Sequence, residues 1–195
     1  MTQGQLIQDL EILRGSLTVF PEAVVSPAFI IVSGLPGTGK SFFCRRLAEK
    51  TPSLIVESDA MRKVLFQTPS YSIEESARLF MALHSLIKEL LHKGIPIIFD
   101  ATNLIEHHRE PLYRIGDKIG AKLILVRVEA PSEVVYQRLQ KRENGGGTGD
   151  KSDADWKVYE RMKPVAGKIQ RNHFVVDTSR DITPVIDKII RAVKR

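Results

Sequence analysis

Eight consecutive residues constrain this chain more than any other feature: Gly34-Leu35-Pro36-Gly37-Thr38-Gly39-Lys40-Ser41. They satisfy Gly-x-x-x-x-Gly-Lys-Ser/Thr throughout. The apolar run Phe29-Ile30-Ile31-Val32 stands before them, and the amphipathic stretch Phe42-Phe43-Cys44-Arg45-Arg46-Leu47 follows. A buried strand, a glycine-rich turn and a helix start in that order make a phosphate cradle. Glycine lacks a Cβ, so the turn can wrap an anion with its N–H groups pointing inward. The helix N-terminus adds its partial positive charge. Lys40 supplies a point charge for β- and γ-phosphate oxygens, and the Ser41 hydroxyl is a ligand for Mg²⁺. The residues expected to hold the nucleotide here are Gly34, Pro36, Gly37, Thr38, Gly39, Lys40, Ser41 and Phe42, and ATP with Mg²⁺ is the expected cofactor pair. A glycine-rich turn with no ligand is the bland alternative, and the flanking strand and helix weigh against it.

The rest of the chain repeats the same alternation. Five apolar runs read as strands: Phe29–Ser33, Leu54–Glu57, Ile95–Phe99, Lys122–Val128 and His173–Asp177. Four are nearly continuous Ile, Val, Leu and Phe, as strands buried on both faces of a parallel sheet require. Helical patterns lie between them at Ser41–Lys50, Met61–Phe66, Ile73–Lys93, Glu106–Ile119, Pro131–Glu143 and Thr183–Arg195. The expected fold class is therefore α/β, with a doubly wound parallel sheet. Gln5–Arg14 carries Leu6, Ile7, Leu10 and Leu13 at helical spacing and reads as a helix packed on the domain edge. The expected organisation is a helical extension over 1–28 and one domain over 29–195. Asn144–Asp153 contains four glycines and no apolar residue, so it reads as a mobile loop.

In open α/β sheets, ligands sit beyond the carboxyl ends of the strands. After Leu54-Ile55-Val56 comes Glu57-Ser58-Asp59-Ala60-Met61-Arg62. Asp59 is placed to accept the proton of an attacking hydroxyl, and Arg62 to hold an acceptor phosphate. The competing reading is that Asp59 caps the helix and pairs with Arg62. After Ile95–Phe99 comes Asp100-Ala101-Thr102-Asn103. An apolar strand ending in Asp matches the acidic partner of a phosphate cradle, with Asp100 orienting Mg²⁺ opposite Ser41. Thr102 and Asn103 are placed to hold the acceptor, against the alternative that Asn103 caps the helix at Glu106.

These three motifs together resemble the polynucleotide 5′-kinase-like family of P-loop kinases, which have an AAA-type ATPase domain. That family includes kinase domains of nucleic-acid end-healing enzymes, and it is related to adenylate, gluconate and chloramphenicol kinases. The resemblance spans about Phe29 to Arg195 and is concentrated in the motifs. It implies an adenylate-kinase-like three-layer sandwich with a five-stranded parallel sheet and a mobile lid over about 138–165. It also implies Asp59 as general base, Arg62 as acceptor clamp, and Asp100, Thr102 and Asn103 as the acceptor wall. Arg138 and Arg142 lie one turn apart on the helix that opens at Pro131, and they look like the arginines such kinases use on the transferring phosphoryl group. A solvated basic face is the alternative. Thr178, in Asp177-Thr178-Ser179, follows the fifth strand, near where the fold holds adenine.

Other features exclude or leave open. The five histidines show no zinc spacing with the single cysteine, Cys44, and read as structural or exposed. One cysteine permits no internal disulfide, which suits a reducing, cytoplasmic compartment. The apolar runs fall short of a membrane span. Trp156 reads as packing at a lid hinge. The charge is +6, and up to Gln137 there are 15 Lys+Arg and 15 Asp+Glu, so the excess lies from Arg138 onward, with 14 against 8. Such an end suits a nucleic-acid partner or a plain solvated surface. The expected activity is transfer of the γ-phosphate of ATP to a hydroxyl, on either a polynucleotide 5′ end or a small molecule. The alternatives are an ATPase or nucleotide-dependent binding protein without an acceptor, and a nucleic-acid-binding module that borrows the fold.

Overall fold

The computed structural model describes residues 2–146 and 153–194. Five strands, β1 (Ala28–Ser33), β2 (Leu54–Glu57), β3 (Ile97–Asp100), β4 (Lys122–Glu129) and β5 (Phe174–Asp177), form one parallel sheet in the order β2-β3-β1-β4-β5. Eight α-helices occur among the described residues: α1 (Gln3–Gly15), α2 (Lys40–Ala48), α3 (Ser58–Leu65), α4 (Ile73–His92), α5 (Glu106–Ile119), α6 (Ser132–Lys141), α7 (Trp156–Met162) and α8 (Thr183–Lys194).

The sheet is a central layer because its strands are apolar on both sides. Every residue of β1 is buried. Phe29 and Ile31 join a core with Leu79, Leu83 and Leu86 of α4 and Leu112 of α5. Ile30 and Val32 join the opposite core with Phe43, Cys44 and Leu47 of α2 and Ile186 and Ile189 of α8. Strict alternation along one strand thus feeds two cores, giving a three-layer α/β/α sandwich. Burial also raises the pKa of the Cys44 thiol well above its ordinary value, consistent with packing rather than chemistry.

The strand order places the site. Chain connections leave β1 in one direction to β2 and β3 and in the other to β4 and β5, so a crevice opens at the carboxyl end of β1. The turn after β1 and the ends of β2 and β3 all reach that crevice.

Helix α1 is anchored at its second half. Leu13 is fully buried in the α4–α5 side core, while Leu6 and Leu10 pack against it in part and Ile7 stays exposed. Asp9 is also fully buried, held by Arg78 Nε and Nη2 at 2.7 and 2.6 Å and by Gln5 Nε2 at 3.0 Å. The hydrogen bonds from Arg78 lower the Asp9 pKa against the opposing effect of burial.

The stretch read as a mobile loop begins differently. Helix α6 runs on as a π-helical turn over Arg142–Gly146, so Asn144 belongs to a helical turn. Residues 147–152 lie outside the described residues. Asp153 is fastened to Lys63 Nζ at 2.7 Å and to the Tyr71 hydroxyl at 2.8 Å.

Candidate functional site

The turn after β1 is shaped by two left-handed residues, Gly37 at φ 75° and Gly39 at φ 88°. Gly37 has a second reason to lack a side chain: a Cβ there would come within 2.9 Å of Val135 and 3.0 Å of Leu139 on α6. Gly39 is the N-cap of α2 and offers no side chain to its N–H groups, which leaves them for a ligand. The loop braces itself, with Thr38 Oγ1 donating to Leu35 O at 2.7 Å. Lys40 Nζ donates to the same carbonyl at 3.1 Å, across the mouth of its own loop.

A cavity of about 460 Å³ opens over this loop. Of the expected nucleotide-site residues, Pro36, Gly37, Gly39, Lys40, Ser41, Phe42 and Thr178 line it; Gly34 and Thr38 lie behind, in the turn itself. Asp59, Asp100, Thr102, Arg138 and Arg142 line it too. Five separate segments of the sequence therefore converge on one cavity. Asp100 is buried at the end of β3, level with Glu57 at the end of β2.

Helix α6 is clamped to the loop through Thr178. Arg138 Nη1 donates to Thr178 Oγ1 at 2.8 Å and Nη2 donates to Thr178 O at 2.9 Å. The Thr178 hydroxyl in turn donates to Thr38 O at 2.6 Å. Thr178 is thus a tie between the cradle and the arginine helix. Burial holds the Arg138 guanidinium below its ordinary pKa, with Asp177 acting the other way. Trp156 does not line this cavity. It stacks on Tyr159 at 4.8 Å and meets Tyr136 edge-on at 5.0 Å, fixing α7 against α6.

A larger cavity of about 800 Å³ lies on the α3–α4–α5 side. Pro36, Ser58, Asp59 and Thr102 line both cavities, so the two meet there. Asp59 sits in the first turn of α3, whose N-cap is Glu57, so it is not the helix cap. It makes no hydrogen bond or ion pair among the described residues and does not pair with Arg62. Arg62 lines the larger cavity, but its charge is committed: it is buried in an ion pair with Glu75, donates to Ser76 Oγ at 3.3 Å, and lies over the Tyr71 ring at 4.8 Å. Asn103 is at φ 44°, and its amide donates to Val32 O at 2.9 Å. Its carbonyl accepts from Ser33 Oγ at 2.9 Å and from Arg109. Asn103 therefore latches the β3 exit to β1 and does not cap α5, whose N-cap is Ile105.

Comparison with known proteins fits this geometry. A family model described as an AAA domain matches residues 29–169. The chain belongs to that family. Among curated proteins it is 25% identical to a UPF0200 protein of Saccharolobus islandicus, over 75% of this chain and 81% of the relative. It is 31% identical to the L-seryl-tRNA(Sec) kinase of Methanococcus maripaludis, over 58% of this chain and 45% of that kinase. Among solved structures, Chaetomium thermophilum Kti12 in complex with ADP-AlF3 superposes with a TM-score of 0.67 at 20% identity, over 85% of this chain and 98% of Kti12. The fold is that of the P-loop kinases. A specific kinship with polynucleotide 5′-kinases, as the motifs suggested, is not what these matches single out.

Within this AAA-family domain, sequence reasoning missed several wall residues. Lys141 joins Arg138 and Arg142 at the smaller cavity; its place in the same helix turn was the available signal. His84, His107 and His108, read as structural or exposed, line the larger cavity. They come from α4 and α5, and only the packing of those helices brings them together. The partner of Arg62 was likewise hidden, because Glu75 lies beyond an irregular stretch. Glu75 also accepts from Ser70 N at 2.6 Å, Ser70 Oγ at 2.8 Å and Tyr71 N at 3.2 Å. Burial alone would raise its pKa, but these bonds and Arg62 outweigh it and hold it at about 2, against an ordinary 4.5. The group's folded-state pKa is depressed, so its stabilisation is complete above the ordinary value and drains away as pH falls toward about 2. Wild type should lose more of its denaturant midpoint than Glu75→Gln between about pH 5 and pH 2.5. Equal losses would mean that this carboxylate does not carry the acid sensitivity.

Proposed function

We propose that this domain is an ATP-dependent phosphotransferase that moves the γ-phosphate to a hydroxyl acceptor. The observation that carries the reading is Asp59, a carboxylate with no hydrogen bond or ion pair among the described residues, on the wall common to both cavities. ATP occupies the smaller cavity, with its phosphates on the N–H groups of the loop and α2. Lys40 leaves Leu35 O to meet the β- and γ-oxygens. The acceptor occupies the larger cavity with its hydroxyl at Asp59, which takes the proton as the oxygen attacks. Arg138, Arg142 and Lys141 neutralise charge on the transferring group from the α6 side. The stretches 138–146 and 153–165 act as the lid, with Arg138, Lys141 and Arg142 on the smaller cavity and Arg161, Met162 and Val165 on the larger one.

Ser41 and Asp100 are both on the smaller cavity, and Ser41 opens α2 beside Lys40. Among the described residues no group of three or more His, Cys, Asp or Glu is placed to hold a metal. Mg²⁺ would therefore be held through Ser41 and Asp100, with most of its shell from phosphate and water, as suits that ion. When bound it supplies charge neutralisation between the β- and γ-phosphates.

Residues 138–165 and the AAA family leave a second activity to separate, ATP turnover without an acceptor. ADP formation should rise by about tenfold or more when a mixture of hydroxyl compounds is added, as expected where the proper acceptor completes the site. ADP formation unchanged by any acceptor would favour the acceptor-free ATPase. Arg138→Ala and Arg142→Ala should each lower turnover with every acceptor, since both side chains line the smaller cavity. A change confined to acceptor KM would place them on the acceptor instead.

A further inference from the structure

The charges around the larger cavity are unevenly committed. Asp59, Arg62, Asp153 and Arg161 line it. Glu75 neutralises Arg62, and Lys63 with the Tyr71 hydroxyl satisfies Asp153. Asp59 belongs to the hydroxyl. That leaves Arg161, which is exposed and has no hydrogen-bond or ion-pair partner among the described residues. Three imidazoles face the same space. The rings of His107 and His108 are 6.1 Å apart, and His84 senses His108 across the helix pair and stands 6.3 Å from Phe80. Much of the remaining wall is apolar, including Phe80, Met162 and Val165.

The same inventory bears on the basic end of the chain. Of the described Lys and Arg residues from Arg138 onward, Arg138, Lys141 and Arg142 line the ATP cavity and Arg161 alone lines the larger one. Lys163 donates to Ser132, Arg171 pairs with Asp117, and Arg180 pairs with Asp177. A polynucleotide brings a negative charge with every nucleotide and needs a row of cations. The larger cavity offers one uncommitted guanidinium with a histidine group, which suits one anion.

We propose that the acceptor is a monomeric alcohol with an apolar body and a single phosphate- or carboxylate-type anion, bound by Arg161 with His107, His108 and His84. This rests on the kinase reading for the position of the hydroxyl, but the anion site is testable without turnover. The cavity of about 800 Å³ lies within the range that encloses a drug-sized ligand. The apolar wall supplies burial for the body, and the Arg161 guanidinium with the imidazole ring nitrogens fixes its orientation.

The test is a titration of the full chain, saturated with the non-hydrolysable analogue AMPPNP so that the phosphate cradle is filled. The probes are phenyl phosphate, benzoate, benzyl alcohol and a short oligothymidylate. Binding is read by calorimetry and by the imidazole NMR signals of His84, His107 and His108. At least one aryl anion should bind and move those signals, with benzyl alcohol weaker by about tenfold or more. Whether phenyl phosphate or benzoate binds tighter separates the two anion types. Arg161→Ala should lower aryl-anion affinity by about tenfold and leave benzyl alcohol unchanged. Arg161 is exposed, so the fold should tolerate the change, and His107→Gln with His108→Gln provides a second variant. The inference is overturned if neither anion binds, if benzyl alcohol binds as well as the anions, if Arg161→Ala has no effect, or if the oligothymidylate binds tightest. Failure of the kinase reading looks different: AMPPNP itself does not bind, and the titration is then read on the protein alone.

Discussion

Asp59→Asn is expected to cut phosphoryl transfer by roughly 10²–10⁴, the usual worth of a general base, while ATP affinity changes little. The substitution keeps the shape of the side chain and removes its ability to take a proton. Its consequences for folding should be small. Asp59 is not the N-cap of α3 and holds no hydrogen bond or ion pair among the described residues. The removed charge favours the first turn of α3 only modestly, by about 0.3–1 kcal/mol. Single-turnover transfer and thermal melting on the same preparation separate the two effects. A transfer loss accompanied by a proportionate fall in stability would mean that Asp59 serves the helix start. Unchanged transfer would move the base elsewhere.

Lys40→Ala should weaken ATP binding and lower transfer by roughly 10²–10³ or more, because a positive charge is removed from oxygens on which negative charge builds up. Here too the fold should persist. Among the described residues the ammonium group has one hydrogen bond, to Leu35 O. The same carbonyl is still held by Thr38 Oγ1 at 2.7 Å. The loop should therefore keep its shape and lose only its cation. Near-wild-type turnover would show that this loop is not where the γ-phosphate reacts.

The sequence carried the layers because their cause is local. A run such as Phe29–Val32 is apolar at every position, and only a central strand with a core on each face accommodates that. The spans over Leu54–Glu57 and Glu106–Ile119 were legible to the residue for the same reason, as strong patterns with clear ends. The four strand pairings were not: the order β2-β3-β1-β4-β5 depends on which helices cross which face. Most of the lining of the smaller cavity was equally legible, since each strand end announces its own polar residues. What lay hidden was every pairing between distant segments. Arg62 reads as a free cation one turn from Asp59, but Glu75 on α4 claims it. Thr178 reads as a base-pocket residue, yet it ties Arg138 to the cradle. It also lies beyond the family match, which ends at residue 169. Asn103 reads as an acceptor contact or a cap, and its amide instead holds Val32. Side chains of this kind are chosen by what packing brings within reach, and periodicity says nothing of that.

Two cavities meeting at Asp59 should pass a phosphoryl group from one ligand to the other. This is tested most directly by following the terminal phosphate of γ-labelled ATP in single turnover with a panel of hydroxyl compounds. With an acceptor that fits, label should appear as a phosphoester in amounts matching the ADP formed, and this product should disappear in Asp59→Asn. Label released only as inorganic phosphate, at the same rate with or without every acceptor, would contradict it.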